Sequence, residues 1–156
     1  MMIVKTEIKA ADAIVVIHQA FKRYETDPQP SSALNETEQT LQQEMNQGTK
    51  LFGIVDHDEL IGIVKCVLKE DHIYFSRLSV LPKNQGKGVA TRLIQFLEGV
   101  ALKNNRFVST CKVRKREEGN IALYSKLGYK IVQEERIINA NGDEIPTVTM
   151  SKQLRP

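Results

Sequence analysis

The pattern of apolar and polar residues changes period several times along the chain, which predicts alternating strands and helices. Short β-rich or alternating runs predict seven strands, at residues 3–8, 51–55, 60–68, 72–80, 107–113, 131–138 and 145–150. Apolar residues at helical spacing predict four helices, at residues 13–24, 35–47, 88–103 and 120–127. The predicted order is therefore strand, two helices, three strands, helix, strand, helix and two strands.

Capping and helix-breaking residues indicate where the predicted helices begin and end. Asp12 and Asn35 carry side-chain oxygens that can accept hydrogen bonds from the first turn of a helix. The prolines of segment 27–30 end the first helix, because proline has no amide hydrogen to donate. Gly48 and Gly128 follow the second and fourth helices, where a left-handed glycine commonly ends a helix.

The connections between predicted strands indicate how the strands pair. Segments 56–59 and 69–71 and the Asn141-Gly142 turn are hairpin connections, which join antiparallel strands. Helix 88–103 lies between two strands as a crossover, which joins parallel strands. Pro146 cannot donate to a neighbouring strand, so the last strand is predicted at an edge. The sequence therefore predicts an α/β fold, with a mixed, mostly antiparallel sheet of about seven strands flanked by four helices.

Length and composition exclude several classes of protein. A chain of 156 residues with 41% apolar and 26% charged residues predicts a single globular domain over residues 1–156. No apolar run approaches the roughly 18–20 residues of a membrane-spanning helix, and the start lacks a signal-peptide pattern. The net charge of +3 does not suggest a nucleic-acid binder, and the basic cluster 114–116 is offset by Glu117 and Glu118.

Cysteine and histidine usage points to the cytoplasm and away from a metal site. Cys66 and Cys111 lie far apart in the sequence, which favours two buried thiols in a reducing compartment over a disulfide scaffold. The three histidines are scattered and form no metal-binding pattern, so no structural metal is expected.

A glycine-rich turn opens the helix at 88–103. Segment 85–90, Gln-Gly-Lys-Gly-Val-Ala, does not fit the P-loop, because Gly88 follows Lys87 where serine or threonine belongs. It is also a weak dinucleotide fingerprint, since Thr91 stands at the third glycine position. The free amide groups of a helix N-terminus can nevertheless bind a pyrophosphate, and glycines let it approach the backbone. On these residues alone, the favoured interpretation is that the glycines serve only to shape a tight turn.

The surrounding sequence resembles the GNAT family of N-acetyltransferases over nearly the whole chain. Segment 85–90 matches the family's acetyl-coenzyme A motif Q/R-x-x-G-x-G/A, and it follows Leu78, Val80 and Pro82 in the usual L-x-V-x-P context. Segment 120–129, which contains an asparagine, an alanine, a tyrosine and the ending Y-x-K-x-G-Y, is similar to the family's second motif. The resemblance implies the acyl-CoA N-acyltransferase fold, acetyl-CoA as cofactor, and direct transfer of an acetyl group to an amine.

The resemblance also implies how the cofactor is held. Strands 72–80 and 107–113 are expected to splay apart, with pantetheine between them bonding to backbone near Leu78 and Val80. The backbone near Leu78 would polarise the thioester carbonyl. The implied cofactor-binding residues are Leu78, Ser79, Val80, Gln85, Gly86, Lys87, Gly88, Val89, Ala90, Thr91, Asn120 and Lys126.

Tyr124 is the implied catalytic residue, since its phenol can protonate the leaving thiolate of coenzyme A. Asn120 either bonds amides of the cofactor or caps its own helix. Lys126 either reaches a cofactor phosphate or is solvated.

No general base is assigned. Many members of the family carry a glutamate in the stretch matching 74–77, where this chain has Ser76 and no acid. The nearest acidic residues in sequence order could act through water, but each is interpreted first as a surface charge. These residues are Glu36, Glu38, Glu70 and Asp71.

The acceptor pocket is expected beside segment 24–45, because the first two helices and their connection border it in the family. This segment is acidic, which either suits a cationic amine or marks a solvated loop, and it includes Pro28 and Pro30. The residues that make it acidic include Glu25, Asp27, Glu36 and Glu38. The hairpin around Asn141-Gly142 could close the pocket or pair with a second subunit as a homodimer.

The sequence favours a small-molecule or amino-acid-like amine as acceptor. The alternatives are an enzyme that acetylates protein N-termini or lysines, and a sensor that binds acyl-CoA without turnover.

Overall fold

The computed structural model describes residues 1–25, 27 and 31–155, and for Tyr24 the backbone only. Pro28 and Pro30, predicted to end the first helix and to border the acceptor, lie outside the described residues. The predicted elements are confirmed in type and order. The strands are β1 (Met2–Lys5), β2 (Lys50–Asp56), β3 (Glu59–Leu68), β4 (Ile73–Val80), β5 (Val108–Arg114), β6 (Lys130–Ile138) and β7 (Glu144–Gln153). The helices are α1 (Ala10–Phe21), α2 (Glu38–Asn46), α3 (Val89–Lys103) and α4 (Glu118–Lys126), with 3₁₀ turns at Lys22–Tyr24, Ser32–Asn35 and Pro82–Asn84.

The seven strands form one mixed sheet in the order β1-β2-β3-β4-β5-β7-β6. The predicted parallel crossover is confirmed, since β4 pairs with β5 through Ile73 with Ser109 and Tyr74 with Thr110. The splaying of these two strands stays a prediction.

The prediction that the last strand lies at an edge is wrong, because β7 lies between β5 and β6. The ladder between β5 and β7 ends at the pair Arg114 and Thr147, and Thr147 is the residue that follows Pro146. The amide hydrogen that proline lacks is therefore not needed on that side, and β6 is the edge strand.

The chain packs as two compact units. The first comprises Met1–Val67 and Phe75–Gly99, and the second comprises Leu68–Tyr74 and the chain from Val100 onward. Each unit buries its own apolar side chains, which stabilise it. In the first these include Ile17, Leu41, Ile54, Ile63, Phe75, Leu93 and Leu97, and in the second Ile73, Cys111, Tyr129, Val148 and Met150. The single-domain assignment stays a prediction.

Both predicted N-caps are wrong. Helix α1 begins at Ala10 after Lys9, without a side-chain cap, so Asp12 lies inside the first turn. Burial of Ala10 extends the apolar face of α1 toward the N-terminus. Helix α2 is capped by Thr37, whose hydroxyl accepts from the amide of Thr40 in a reciprocal capping box.

None of the helices in residues 1–25, 27 and 31–155 is long and apolar enough to cross a membrane.

Gly62 on β3 decides how closely the first turn of α3 packs on the sheet. A Cβ atom at this position would lie 2.6 Å from Cγ1 of Val89 and 3.3 Å from the carbonyl oxygen of Ser79. Val89 is the first residue of α3 and is buried. A side chain at position 62 would therefore push the N-terminus of α3 away from β3.

We expect Gly62→Ala to lower the free energy of unfolding by about 1–3 kcal/mol, the usual cost of overpacking a core. Gly99→Ala is the matched control, because Gly99 lies within α3 and a Cβ there meets nothing within 4 Å. Since alanine favours a helix over glycine, that variant should gain roughly 0.5–1 kcal/mol. Urea unfolding measures both changes, and a neutral Gly62→Ala would show that α3 does not depend on this close approach.

Candidate active site

The turn before α3 exposes a set of unpaired backbone amide groups. The carbonyl of Gly88 accepts from the amide of Arg92, so Gly88 is the N-cap residue of α3. The amide groups before Arg92 in the first turn have no partner within the helix and carry the positive end of its dipole. Gly86 and Gly88 both have φ +81°, a left-handed conformation that glycine adopts without strain. A Cβ at either position would meet nothing within 4 Å, so both face open space.

Lysine side chains give this turn an available positive charge. Lys83 pairs with Glu59 at 2.9 Å. Lys87, by contrast, is exposed and forms no salt bridge among the residues that the structure describes, although its charge helps to lower the pKa of Asp56. Its ammonium group can therefore turn toward an anion at the N-terminus of α3.

The predicted cofactor residues of β4 differ in what they can offer. Ser79 is buried and donates its hydroxyl to the carbonyl of Arg77 at 2.8 Å, so its side chain is already bonded. The carbonyl of Val80 accepts from Nε2 of Gln85 at 3.3 Å. Gln85 thus folds back on the end of β4 and holds the turn, while Leu78 is half-buried.

Tyr124 belongs to the second unit, where it is buried in α4. Its ring lies 6.1 Å from that of Tyr129, whose hydroxyl donates to Oγ of Ser109 at 2.7 Å. Burial, and to a lesser degree the Cys111 thiol, raises the pKa of the Tyr124 phenol above its ordinary value. The phenol therefore holds its proton throughout the neutral and mildly basic range.

Two further predicted residues lie on the same helix. Asn120 is the third residue of α4, and Glu117 is the N-cap residue, so the alternative that Asn120 caps its helix is wrong. Lys126 is in the last turn and exposed. Neither side chain has a partner in the described part of the chain, which leaves both available to a ligand.

Glu36 is not the surface charge that its sequence context suggested. It is 7% exposed, and its Oε1 accepts from Nζ of buried Lys65 at 2.7 Å. Its Oε2 accepts from Nε of Arg77 at 2.9 Å. Lys65 also donates to Glu44 at 2.9 Å, and Arg77 Nη2 donates to Oγ of Ser32 at 3.0 Å. We call these five residues the Glu36 cluster.

The Glu36 cluster changes the list of candidate bases. Burial alone would raise the pKa of Glu36, but the hydrogen bonds and charges of Lys65 and Arg77 outweigh burial and hold it below its ordinary value. Such a carboxylate is a poor base near neutral pH. Glu38 and Glu70 are exposed, and Asp71 accepts from His72 at 2.7 Å. No base is assigned.

The sequence analysis missed Lys65, Arg77 and Glu44. Lys65 could have been noticed, because it is the single charged residue between Ile61 and Leu68, in an otherwise apolar β-rich run. A lysine in such a run must find a carboxylate partner when the strand is buried. The identity of that partner depends on tertiary structure.

The family model described as acetyltransferase (GNAT) family matches residues 14–129. The chain belongs to the GNAT acetyltransferase family. It is an acetyl-CoA-dependent acetyltransferase, which confirms the predicted cofactor. No curated protein sequence matches significantly.

Solved structures share the fold at low sequence identity. The ribosomal-protein-S18-alanine N-acetyltransferase from Escherichia coli has a TM-score of 0.80 at 17% identity, over 100% of this chain and 96% of that one. Aminoglycoside 6'-acetyltransferase type Ii has a TM-score of 0.75 at 21% identity, over 99% and 98% of the two chains. An aminoglycoside 6'-N-acetyltransferase complexed with coenzyme A has a TM-score of 0.72 at 18% identity, over 99% and 98%.

The turn before α3 fits acetyl-CoA on its own chemistry. A pyrophosphate needs several amide donors that it can approach without steric hindrance, and a nearby cation. The left-handed glycines, the free amide groups of α3 and the exposed Lys87 meet these needs.

We expect Gly88→Val to lower the affinity for coenzyme A at least about tenfold, or roughly 1.4 kcal/mol, because the side chain would block the pyrophosphate. Gly142→Val is the matched control, since Gly142 has φ +83° and equally open surroundings in the β6–β7 turn. Both variants carry the same backbone strain, so only Gly88→Val should change the affinity measured by calorimetry. Equal affinities in the two variants would place the pyrophosphate elsewhere.

We expect Glu36→Gln to destabilise the protein by about 3 kcal/mol at neutral pH, since it removes one partner of a buried ion pair. The folded-state pKa of Glu36 is lowered, so its contribution is present above the ordinary value of 4.5. The contribution is lost as the pH falls through the folded-state pKa. Wild type and variant should therefore converge in acid.

Urea unfolding between pH 3 and pH 7 measures this convergence. Glu38→Gln, at an exposed position near the start of α2, is the control and should change stability little at any pH. A destabilisation by Glu36→Gln that does not vary with pH would show that the charge of Glu36 is not what stabilises the cluster.

Proposed function

We propose that the enzyme transfers the acetyl group of acetyl-CoA to a primary amine of a small-molecule or amino-acid-like acceptor, by direct attack of the amine. The observation that supports a small polar acceptor is the Glu36 cluster. It holds the Ser32–Asn35 turn and Glu36 against Arg77, the residue before Leu78. Polar side chains fixed beside the proposed thioester position suit an acceptor with polar groups of its own.

The proposed cofactor residues have separate tasks. The amide groups of Val89, Ala90 and Thr91, at the N-terminus of α3, bind the pyrophosphate. Gly86 and Gly88 leave room for it, and Lys87 neutralises part of its charge. Gln85 holds the turn through the carbonyl of Val80.

Backbone and amide groups complete the proposed cofactor contacts. The backbone at Leu78 and Val80 bonds pantetheine. Ser79 lies between them and holds this part of β4 in place, because its hydroxyl donates to the carbonyl of Arg77. The side chain of Asn120 bonds a cofactor amide, and Lys126 binds a phosphate.

Bound acetyl-CoA supplies an activated acetyl thioester, and the chain's residues act on it. The backbone amide at Leu78 donates to the thioester carbonyl and stabilises the negative charge that develops there. Tyr124 holds a proton on Oη and donates it to the departing sulfur. The attacking amine loses its own proton to water, and water returns a proton to the Tyr124 phenolate. Burial keeps this phenol protonated at every working pH, and it also makes the phenol a weaker acid than a solvated tyrosine.

We also propose that the enzyme acts in the cytoplasm without nucleic acid or membrane partners. Two free, buried cysteines are consistent with a reducing compartment. The exposed edge strand β6 is a surface through which a homodimer could form.

A screen of primary amines tests the function directly, with thiol release from acetyl-CoA as the readout. Acetylation of a small amine would support the proposal. Acetylation of peptide N-termini or lysines alone would contradict the proposed acceptor class. Binding of acetyl-CoA without any turnover would contradict catalysis and favour a sensor.

We expect Tyr124→Phe to lower kcat by roughly 10²–10⁴-fold on the acceptor that the screen identifies, the usual contribution of a general acid. Affinity for coenzyme A should change little, because the proposed interaction forms only as the sulfur leaves. Tyr129→Phe is the control, since it also removes a buried hydroxyl, the one bonded to Ser109. It should cost about 0.5–1.5 kcal/mol of stability and leave kcat within a few-fold. Full turnover by Tyr124→Phe would assign the proton to another donor.

A further inference from the structure

Arg77 occupies a strained backbone position in the middle of β4. Its φ is +54°, in the left-handed region that residues other than glycine seldom adopt. The alternation of buried and half-buried residues along β4 also breaks at this point, since Arg77 follows half-buried Ser76 and precedes half-buried Leu78. Such strain costs about 1–3 kcal/mol and persists where the surroundings hold it, often at functional sites.

The guanidinium of Arg77 is fixed along one edge and free along the other. An arginine offers five N–H donors in a planar fork. The Nε hydrogen bonds to Glu36 at 2.9 Å, and one Nη2 hydrogen bonds to Ser32 at 3.0 Å. Within residues 1–25, 27 and 31–155, no group bonds to Nη1. The outer edge, formed by Nη1 and the second Nη2 hydrogen, remains available on a side chain that is 26% exposed.

Arg77 has a single carboxylate partner in the Glu36 cluster, and it shares that partner with a second cation. Glu36 accepts from both Lys65 and Arg77. The second carboxylate, Glu44, is 42% exposed and bonds only to Lys65. Water screens an exposed carboxylate more than buried charges, so the positive charge of Arg77 is only partly balanced.

We propose that the outer edge of Arg77 binds a carboxylate of the acceptor, so that the substrates are amines that also carry a carboxylate. A carboxylate matches the two parallel donors of a guanidinium edge, and such bidentate pairs are strong and directional. Arg77 directly precedes Leu78, so the acceptor is anchored beside the backbone proposed to hold the thioester. This inference rests on the proposed function and names its substrate class.

Matched acceptor pairs test the proposal. Each amino acid of a small library is assayed with its own carboxamide, which keeps the amine and removes the negative charge. The wild-type enzyme should prefer the carboxylate member at least tenfold in kcat/KM for the pairs that it acetylates. Arg77→Met should abolish the preference, because KM for the carboxylates should rise at least tenfold more than KM for the carboxamides. Loss of the link to Glu36 acts on both members of a pair and so does not change their ratio. Arg77→Lys should also lose most of the preference, because an ammonium cannot bind a carboxylate bidentately.

Controls separate binding from a purely structural role. Arg92→Met changes an exposed arginine of α3 and should leave the preference intact. Affinity for coenzyme A should be the same in wild type and the Arg77 variants. A fall in that affinity would mean that Arg77 contacts the cofactor, which would overturn the proposal.

Two other results would also contradict it. The first is equal kcat/KM of the wild type for carboxylates and carboxamides. The second is an equal fall in kcat/KM for both in Arg77→Met and Arg77→Lys. Either result would show that Arg77 has only a structural role, and neither would contradict the proposed amine acetyltransferase activity. Failure to acetylate any amine, with coenzyme A still bound, would instead overturn the proposed function and this inference together.

Discussion

The first turn of α3 lies so close to β3 that position 62 has no room for a side chain. This contact, between Gly62 and Val89, fixes the N-terminus of α3 against the sheet. The adjoining glycines, Gly86 and Gly88, adopt left-handed conformations in the turn before α3 and have open space around them. The proposed anion binding at the N-terminus of α3 therefore depends on packing. A helix N-terminus binds an anion well only where its position is fixed and its amide groups are accessible.

The Glu36 cluster applies a different constraint to the same unit. A buried lysine and a half-buried arginine share one carboxylate, so none of the three can be removed without leaving an unbalanced charge. Lys65 and Arg77 hold the pKa of Glu36 below its ordinary value, so Glu36 is a poor base. The cluster also holds the side chain of Arg77, whose backbone is strained, and it links the segment before α2 to strand β4.

The proposed proton donor, Tyr124, lies on helix α4 of the second unit. Tyr124 and Tyr129 pack together, and the hydroxyl of Tyr129 is bonded to Ser109. Burial raises the pKa of Tyr124, which keeps its proton in place but weakens it as an acid. A phenol of this kind suits the proposed step, in which the proton moves as negative charge appears on sulfur. It is less suited to exchanging its proton with the solvent.

The sequence by itself determined the order and type of the helices and strands, because hydrophobic period and turn residues are local properties. It also located the glycine turn and, through the family's motifs, the cofactor. Local signals were insufficient at Asp12, Asn35 and Pro146. Thr37 and Thr40 formed the cap of α2 in place of Asn35, and the ladder of β5 ended before it needed the amide that Pro146 lacks. Only the tertiary structure decided that Glu36, Lys65 and Arg77 meet, since residues 29 and 41 positions apart are brought together by the sheet and not by the chain.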